Sequence, residues 1–388
     1  MRNVSIIGAG MIPVGEHWAT SLRELAAEAG VKALEDAGIQ TVDAIYIGNA
    51  YASTFNQQTQ LGALIADFMN LTGTEAYTCE AGDASGGVAL RNGYMAVASG
   101  AIKSALVIGV EKATDIVGSA RTLARSISLD ADFESPNGAT LTTMAGLLMR
   151  RYMYEYDVEI SQFEGFSVNA HRNGKRSSYA MYRNTIREGA FAKAPMVSDP
   201  VSLFDSAPDG DGAAAVVLVA SDHAKDMVPQ PITISGSSVK TDRLMLQERD
   251  NILKLNAVSQ SAQQALKQAD LKISDINLME LHDSYTILTT LSFESLGLAE
   301  LGKGWEWANN GGEQIDLTGK MPISTFGGLK SRGNPCGATG IYQAVEAVHQ
   351  LRGIATDNQV IDARHAFIQN LGGLASTVVT HILSIENV

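Results

Sequence analysis

The groups in this sequence that can do chemistry sit in three short stretches. The first is Glu80-Ala81-Gly82-Asp83-Ala84-Ser85-Gly86-Gly87, where a carboxylate stands at a predicted helix start. The helix field favours the ionised form of Asp83, which makes it a fixed anion and a weak base, while burial works the other way. A plain N-cap is the alternative role. The second stretch is His282-Asp283-Ser284-Tyr285. It offers an imidazole, two neighbours able to orient it, and a phenol that acts as acid or base if its pKa falls. The third runs from Gly327 to Gly340 and holds Asn334, which donates and accepts hydrogen bonds but is no base at neutral pH. The thiols are Cys79 and Cys336, with no CxxC pair between them. Cys79 is expected on a buried strand as a small hydrophobe. Cys336 stands near a helix start, which favours a thiolate, although packing is the simpler role. So few cysteines suit a reducing, cytoplasmic compartment and argue against a cysteine zinc site.

Holding these groups requires a scaffold of alternating strands and helices. Asn3 to Gly8 reads as a buried strand, Ala44 to Gly48 as a second and Ser104 to Val110 as a third. Between the first two, Leu22 to Ala37 reads as a helix, with Ser21 and Glu24 at capping-box spacing and Gly38 closing it. The second half repeats this grammar. Ala33 to Gln40 aligns with Ala265 to Lys272, and each leads into a strand. Gly82 to Gly86 aligns with Gly333 to Gly337, and each leads into a helix. Gly212 to Leu218 aligns with Leu374 to Thr380, in the same order along the chain. The reading is a duplicated α/β unit with halves at 1–221 and 230–388 and a linker near Asp222 to Pro231. Residues 116–200 fit neither repeat and read as an insertion that shapes a substrate site or an oligomer contact. Gly8-Ala9-Gly10 after the first strand lacks the spacing of a dinucleotide fingerprint. The net charge of −13 argues against nonspecific binding to nucleic acid or anionic membranes, and no apolar run is long enough to span a bilayer.

The three stretches, with Asp211-Gly212-Ala213-Ala214-Ala215 and Asn370-Leu371-Gly372-Gly373, resemble the thiolase superfamily, in its sterol-carrier-protein-X and archaeal branch. The resemblance covers nearly the whole chain. It implies the duplicated five-layer αβαβα thiolase fold, α/β in class, with an inserted loop region in the first half. It further implies a homodimer and an acyl-CoA substrate, with coenzyme A carried by the substrate and no other cofactor or metal. In that family the Asp83 position is the acyl-accepting cysteine, and the Asn334 position is the histidine that activates it. Both are replaced here, and Tyr285 stands where phenylalanine is usual. What the resemblance leaves is His282 as an oxyanion donor, Gly372 and Gly373 as a second oxyanion loop, and Asp283 and Ser284 as supports. His171 resembles a residue near the pantetheine arm, and Lys330 and Arg332 are phosphate-binding candidates by charge. These parts suit an aldolase-like member that cleaves a β-hydroxyacyl-CoA by a retro-aldol step, with Tyr285 or Asp83 as base and Asn334 orienting substrate. A non-catalytic subunit and an unconventional acyltransferase are the two other readings. The branch also implies a small OB-fold zinc-ribbon protein as partner.

Overall fold

The structure, a computed structural model, describes residues 2–187 and 189–385. Met1, Glu188 and residues 386–388, which the sequence reading included in its two halves, lie outside the described residues. The described strands that matter here are β1 (Val4–Met11), β2 (Ala44–Gly48), β3 (Glu75–Cys79), β4 (Ser104–Glu111), β5 (Gly212–Ala220), β6 (Ile232–Thr241), β7 (Leu278–Glu280), β8 (His365–Gly372) and β9 (Thr377–Ile385). They form one nine-stranded mixed sheet in the order β3-β2-β4-β5-β1-β6-β9-β8-β7. The seam is the antiparallel pairing of β1 with β6, where Ser5 faces Thr233 and Ile6 faces Ile232. On one side β5 runs antiparallel to β1 and β4, and β2 runs parallel to β3 and β4. On the other, β9 runs antiparallel to β6 and β8, and β8 runs parallel to β7.

The helices used below are α1 (Leu22–Ala37), α2 (Leu61–Phe68), α3 (Ser85–Ser99), α4 (Ser119–Arg125), α5 (Leu141–Tyr156), α6 (Glu164–Arg176), α7 (Asn256–Ala269), α8 (Thr286–Ser295) and α9 (Thr339–Leu351). Helices α3 and α9 pack on each other and on strands of both half-sheets, so they form a central layer. Helices α1 and α2 cover the outer face of the first half-sheet, and α7 covers that of the second. This is the expected five-layer order. Burial on both faces explains the unbroken apolar runs of the strands. In β4, Ala105 and Val107 face the central helices while Leu106, Ile108 and Val110 face α1. β5 alternates in the same way, with Val216 and Leu218 inward and Val217 and Val219 outward.

The duplication appears in local detail. Ser21 and Glu24 form the reciprocal capping box that starts α1. Gly38 ends α1 in the left-handed region at φ +67°, and its repeat partner Asp270 ends α7 there at φ +54°. Aspartate tolerates that conformation at a single turn residue, which is why the glycine is not repeated. Three expectations shift. β1 continues through Gly8-Ala9-Gly10 to Met11, because α1 packs directly on those glycines: a Cβ on Gly8 would come 2.1 Å from the Ala33 carbonyl oxygen. β4 includes Glu111, whose buried carboxylate accepts from the Ala50 and Gly337 N–H groups. The stretch read as a linker holds a short helix, Ser221–Met227. Among the described residues no helix is long and apolar enough to cross a membrane.

Candidate active site

Asp83, His282, Asn334 and the glycines 372 and 373 all lie where strands hand over to helices or turns, at one end of the half-sheets. Asp83 sits in the turn between β3 and α3, with Gly82 at φ +57°. Ser85 closes this turn: its Oγ accepts from the Ala81 N–H at 3.0 Å and donates to the Gly82 carbonyl at 2.6 Å. Asp83 is 3% exposed. Its Oδ2 accepts from Arg125 Nη2 at 2.8 Å and lies 4.0 Å from His282 Nε2. Its Oδ1 is buried with no partner among the described residues. The guanidinium of Arg125 also pairs with Asp209, which Arg121 approaches at 3.3 Å. Both arginines stand on α4, inside the predicted insertion, so that segment delivers a charged side chain to the centre of the molecule. Nothing in the local sequence singles out Arg125 from the other arginines of that segment.

His282 follows β7 and is buried. Burial penalises its imidazolium form and pushes its pKa down to about 4; Asp83 opposes this and Arg125 and Arg332 reinforce it. The ring is therefore neutral at pH 7. Its Nδ1 is 3.2 Å from Nδ2 of Asn370, a residue in the motif for which the sequence reading gave no role. The expectation that Asp283 and Ser284 orient this ring is corrected. Asp283 instead accepts from the Leu329 N–H at 2.7 Å and from Ser324 Oγ at 3.1 Å, tying down the glycine-rich loop. Ser284 contributes its backbone carbonyl, which accepts from the Ala207 N–H at 2.8 Å.

Tyr285 is buried, and its hydroxyl pairs with Thr142 Oγ1 at 2.9 Å. Burial raises its pKa, against the lowering by Arg125, so the phenol stays protonated at neutral pH. The fall that a basic role required does not occur. Asn334 caps the turn into α9, its Oδ1 accepting from the Cys336 N–H at 3.0 Å and from Thr339 Oγ1 at 3.4 Å. Gly373 and the Cα of Gly372 press against Gly82, within 3.6–3.7 Å of the position a Cβ there would take, and a Cβ on Gly372 would collide with the Ala81 carbonyl oxygen at 2.3 Å. Both thiols are buried. Burial pushes the Cys336 thiol well up, with Asp83, Asp209 and Glu111 adding to it against Arg125, so the helix start does not yield a thiolate. Burial raises Cys79 likewise, although Asn92 donates to its sulfur at 3.2 Å.

A cleft of about 490 Å³ opens beside this centre, lined by His171, Asn184, Arg187, Phe204, Ser206, Pro208 and Lys330, among others. Ser206 bridges to Tyr285, and the Pro208 carbonyl accepts from the Asn334 N–H at 2.8 Å, so the cleft floor adjoins the buried groups. His171 projects from α6 into this cleft, its Nδ1 3.0 Å from the Asn184 carbonyl oxygen. Two expectations fail here for one reason, burial. Lys330 is 2% exposed, its Nζ donates to the Asp205 carbonyl, and burial lowers its pKa to about 8. Arg332 is fully buried, pairs with Glu346 at 2.8 Å and lies over the Tyr342 ring. Arg332 is thus a core ion pair, out of reach of a phosphate. In chemical terms, the centre offers a neutral donor at His282, a carboxylate with a spare lone pair at Asp83, and a phenol donor at Tyr285, all shielded from water. Such a set can steady negative charge on an oxygen and accept one proton.

Residues 4–193 match the family described as "Thiolase, N-terminal domain", and residues 238–385 match "Thiolase C-terminal domain-like". The acetyl-CoA acetyltransferase of Methanothermobacter thermautotrophicus is 39% identical over 386 residues, which is 99% of this chain and all of that one. Sterol carrier protein 2 of Gallus gallus is 28% identical, over 98% of this chain and 71% of its own. Among solved structures, one titled "Ltp2-ChsH2(DUF35) aldolase" superposes with a TM-score of 0.86 at 22% identity, covering all of this chain and 98% of that one.

Proposed function

The chain belongs to the thiolase family, and from that premise we propose that it cleaves a carbon–carbon bond in a β-hydroxyacyl-CoA by a retro-aldol route without an acyl-enzyme. One observation carries the reading: the group facing His282 is a carboxylate held by Arg125, while both thiols are buried and shifted away from the thiolate. A β-hydroxyl gives its proton to Asp83 Oδ1, the oxygen with no hydrogen-bond partner among the described residues. The Cα–Cβ bond breaks, and its electrons pass into the thioester as an enolate. His282 donates a hydrogen bond to the enolate oxygen, the atom on which charge grows. Tyr285, protonated, donates to the departing carbonyl oxygen. Asp83 then returns its proton to the enolate carbon, and an aldehyde or ketone leaves with a shorter acyl-CoA. The cleft at His171 takes the thioester arm, with Arg187 rather than Arg332 as the cation nearest solvent. Asn334 shapes the floor through its cap.

The test is cleavage of a panel of β-hydroxyacyl-CoA thioesters by the wild type and by Asp83→Asn. Loss of a proton acceptor lowers turnover about 10²–10⁴-fold with KM little changed. Undiminished cleavage by the variant removes Asp83 from the mechanism. A second reading, a subunit active only with a partner, draws on the neighbour whose title joins a DUF35 component to the aldolase. Running the panel with and without a co-expressed OB-fold zinc-ribbon protein separates the two. We also propose a homodimer. β3 is an edge strand, with Tyr77 45% exposed, and Val117, Leu123 and Phe133 expose apolar surface in the adjoining insertion. Light scattering at the mass of one chain would remove it.

A further inference from the structure

We propose that Asn370 is a positioning residue that locks the His282 imidazole with its proton on Nε2, the nitrogen facing Asp83. The Gly87 amide is a backbone group with only one way to bond. Gly87 lies in the first turn of α3, where amides have no acceptor within the helix. Its N–H meets Asn370 Oδ1 at 3.3 Å. An N–H only donates, so the amide atom facing it must be the oxygen, and the NH₂ must face the other way. There it stands 3.2 Å from His282 Nδ1. An amide NH₂ also only donates, so Nδ1 is the acceptor and carries no proton. Burial keeps the ring neutral, with a single ring proton, which is left to Nε2. That nitrogen is 4.0 Å from Asp83 Oδ2.

The packing holds this amide in place. A Cβ on Gly340, in the first turn of α9, would come 2.5 Å from Asn370 Oδ1, and one on Gly87 would come 3.2 Å from it. Both helix starts therefore lack a side chain where the amide sits. The Gly87 carbonyl in turn accepts from His381 Nε2 at 3.0 Å, so the peptide units on either side of the Gly87 Cα are both held. Neither His381 nor Gly87 is among the described residues that line the cleft, and hydrogen bonds lead from His381 through Gly87 and Asn370 to His282. The catalytic consequence rests on the proposed role of His282 as oxyanion donor; the tautomer itself does not.

The experiment is a long-range proton–nitrogen correlation spectrum of ¹⁵N-histidine-labelled protein without substrate, with the His282 signals assigned by their loss in His282→Gln. The expected result is a bare Nδ1 and a protonated Nε2. In Asn370→Asp, a carboxylate oxygen replaces the NH₂, so Nδ1 gains a proton while circular dichroism stays unchanged. Turnover of a β-hydroxyacyl-CoA falls about 10²–10³-fold with KM nearly constant. If Asn370→Asp does not fold, the wild-type spectrum alone still decides. A proton on Nδ1 in the wild type, or an unchanged tautomer in folded Asn370→Asp, overturns the proposal. A switched tautomer with undiminished turnover upholds the lock and removes His282 as the oxyanion donor instead.

Discussion

Replacing Arg125 by methionine takes the shared cation away from two carboxylates. Asp83 is the more exposed to the consequence, because its side chain is 4% accessible and Arg125 Nη2, at 2.8 Å, is the one cation bonded to it among the described residues. At that distance the gross attraction is about 6 kcal/mol for an effective dielectric near 20. Net losses on breaking such a buried pair run about 3–5 kcal/mol, since a charge is left behind. Asp209 keeps Arg121 at 3.3 Å and is 15% exposed, so it adds little. We therefore expect Arg125→Met to cost about 3 kcal/mol, read as a lower urea midpoint with the slope unchanged. Adding Asp83→Asn removes the stranded charge, so the double variant should recover at least about 1 kcal/mol relative to Arg125→Met alone. Turnover should be lost in both. A single-variant cost below about 1 kcal/mol, typical of a surface pair, would refute the reasoning. So would strictly additive costs in the double variant.

Asp83→Cys places a thiol beside Arg125 and 4.0 Å or so from His282, by the present Oδ2 position. The nearby guanidinium favours the thiolate. The variant should alkylate with iodoacetamide faster than wild type, whose two thiols are shifted away from the thiolate, as followed by intact mass. Acid should destabilise the protein through His282, His349 and His381, each lowered to about 4 by burial. Between pH 6.5 and 4 the unfolded chain binds protons that the folded one refuses, so stability falls with pH, by about 3 kcal/mol per histidine at most. Glu111, raised to about 8 by burial, acts in the opposite sense between about pH 4.5 and 8, since its contribution is lost as pH rises through that range. The readout is therefore the difference between wild type and His282→Gln, whose urea midpoint should depend less steeply on pH.

Much of the scaffold was legible because its signals are local. A capping box, a closing glycine and an apolar stripe define α1 within a few residues. The repeat was visible because both copies must end a helix and enter a strand at the same place. The positions of Asp83 and His282 were legible from their motifs. Their partners were not, because pairing across 42 or 88 residues leaves no mark in a single sequence. Arg125 is one arginine among several in an irregular segment, and nothing nearby says that it points inward. Lys330 and Arg332 were misread for a related reason. Charge alone reads as solvent-facing, yet Arg332 meets Glu346 from α9, and the Lys330 amine is taken by a backbone carbonyl. Asp283 stands next to His282 in sequence but faces the 324–329 loop, since successive residues in extended chain point in different directions.

The proposed carbon–carbon cleavage on this thiolase fold needs no covalent acyl-enzyme. The most direct test incubates the protein with a β-hydroxyacyl-CoA in the absence of free coenzyme A and follows both small molecules and intact protein by mass spectrometry. The expected products are an aldehyde or ketone together with a shortened acyl-CoA, while the protein mass stays that of the unmodified chain. An acyl adduct on the protein, or cleavage only of a β-ketoacyl-CoA and only when free coenzyme A is supplied, would contradict the proposed cleavage.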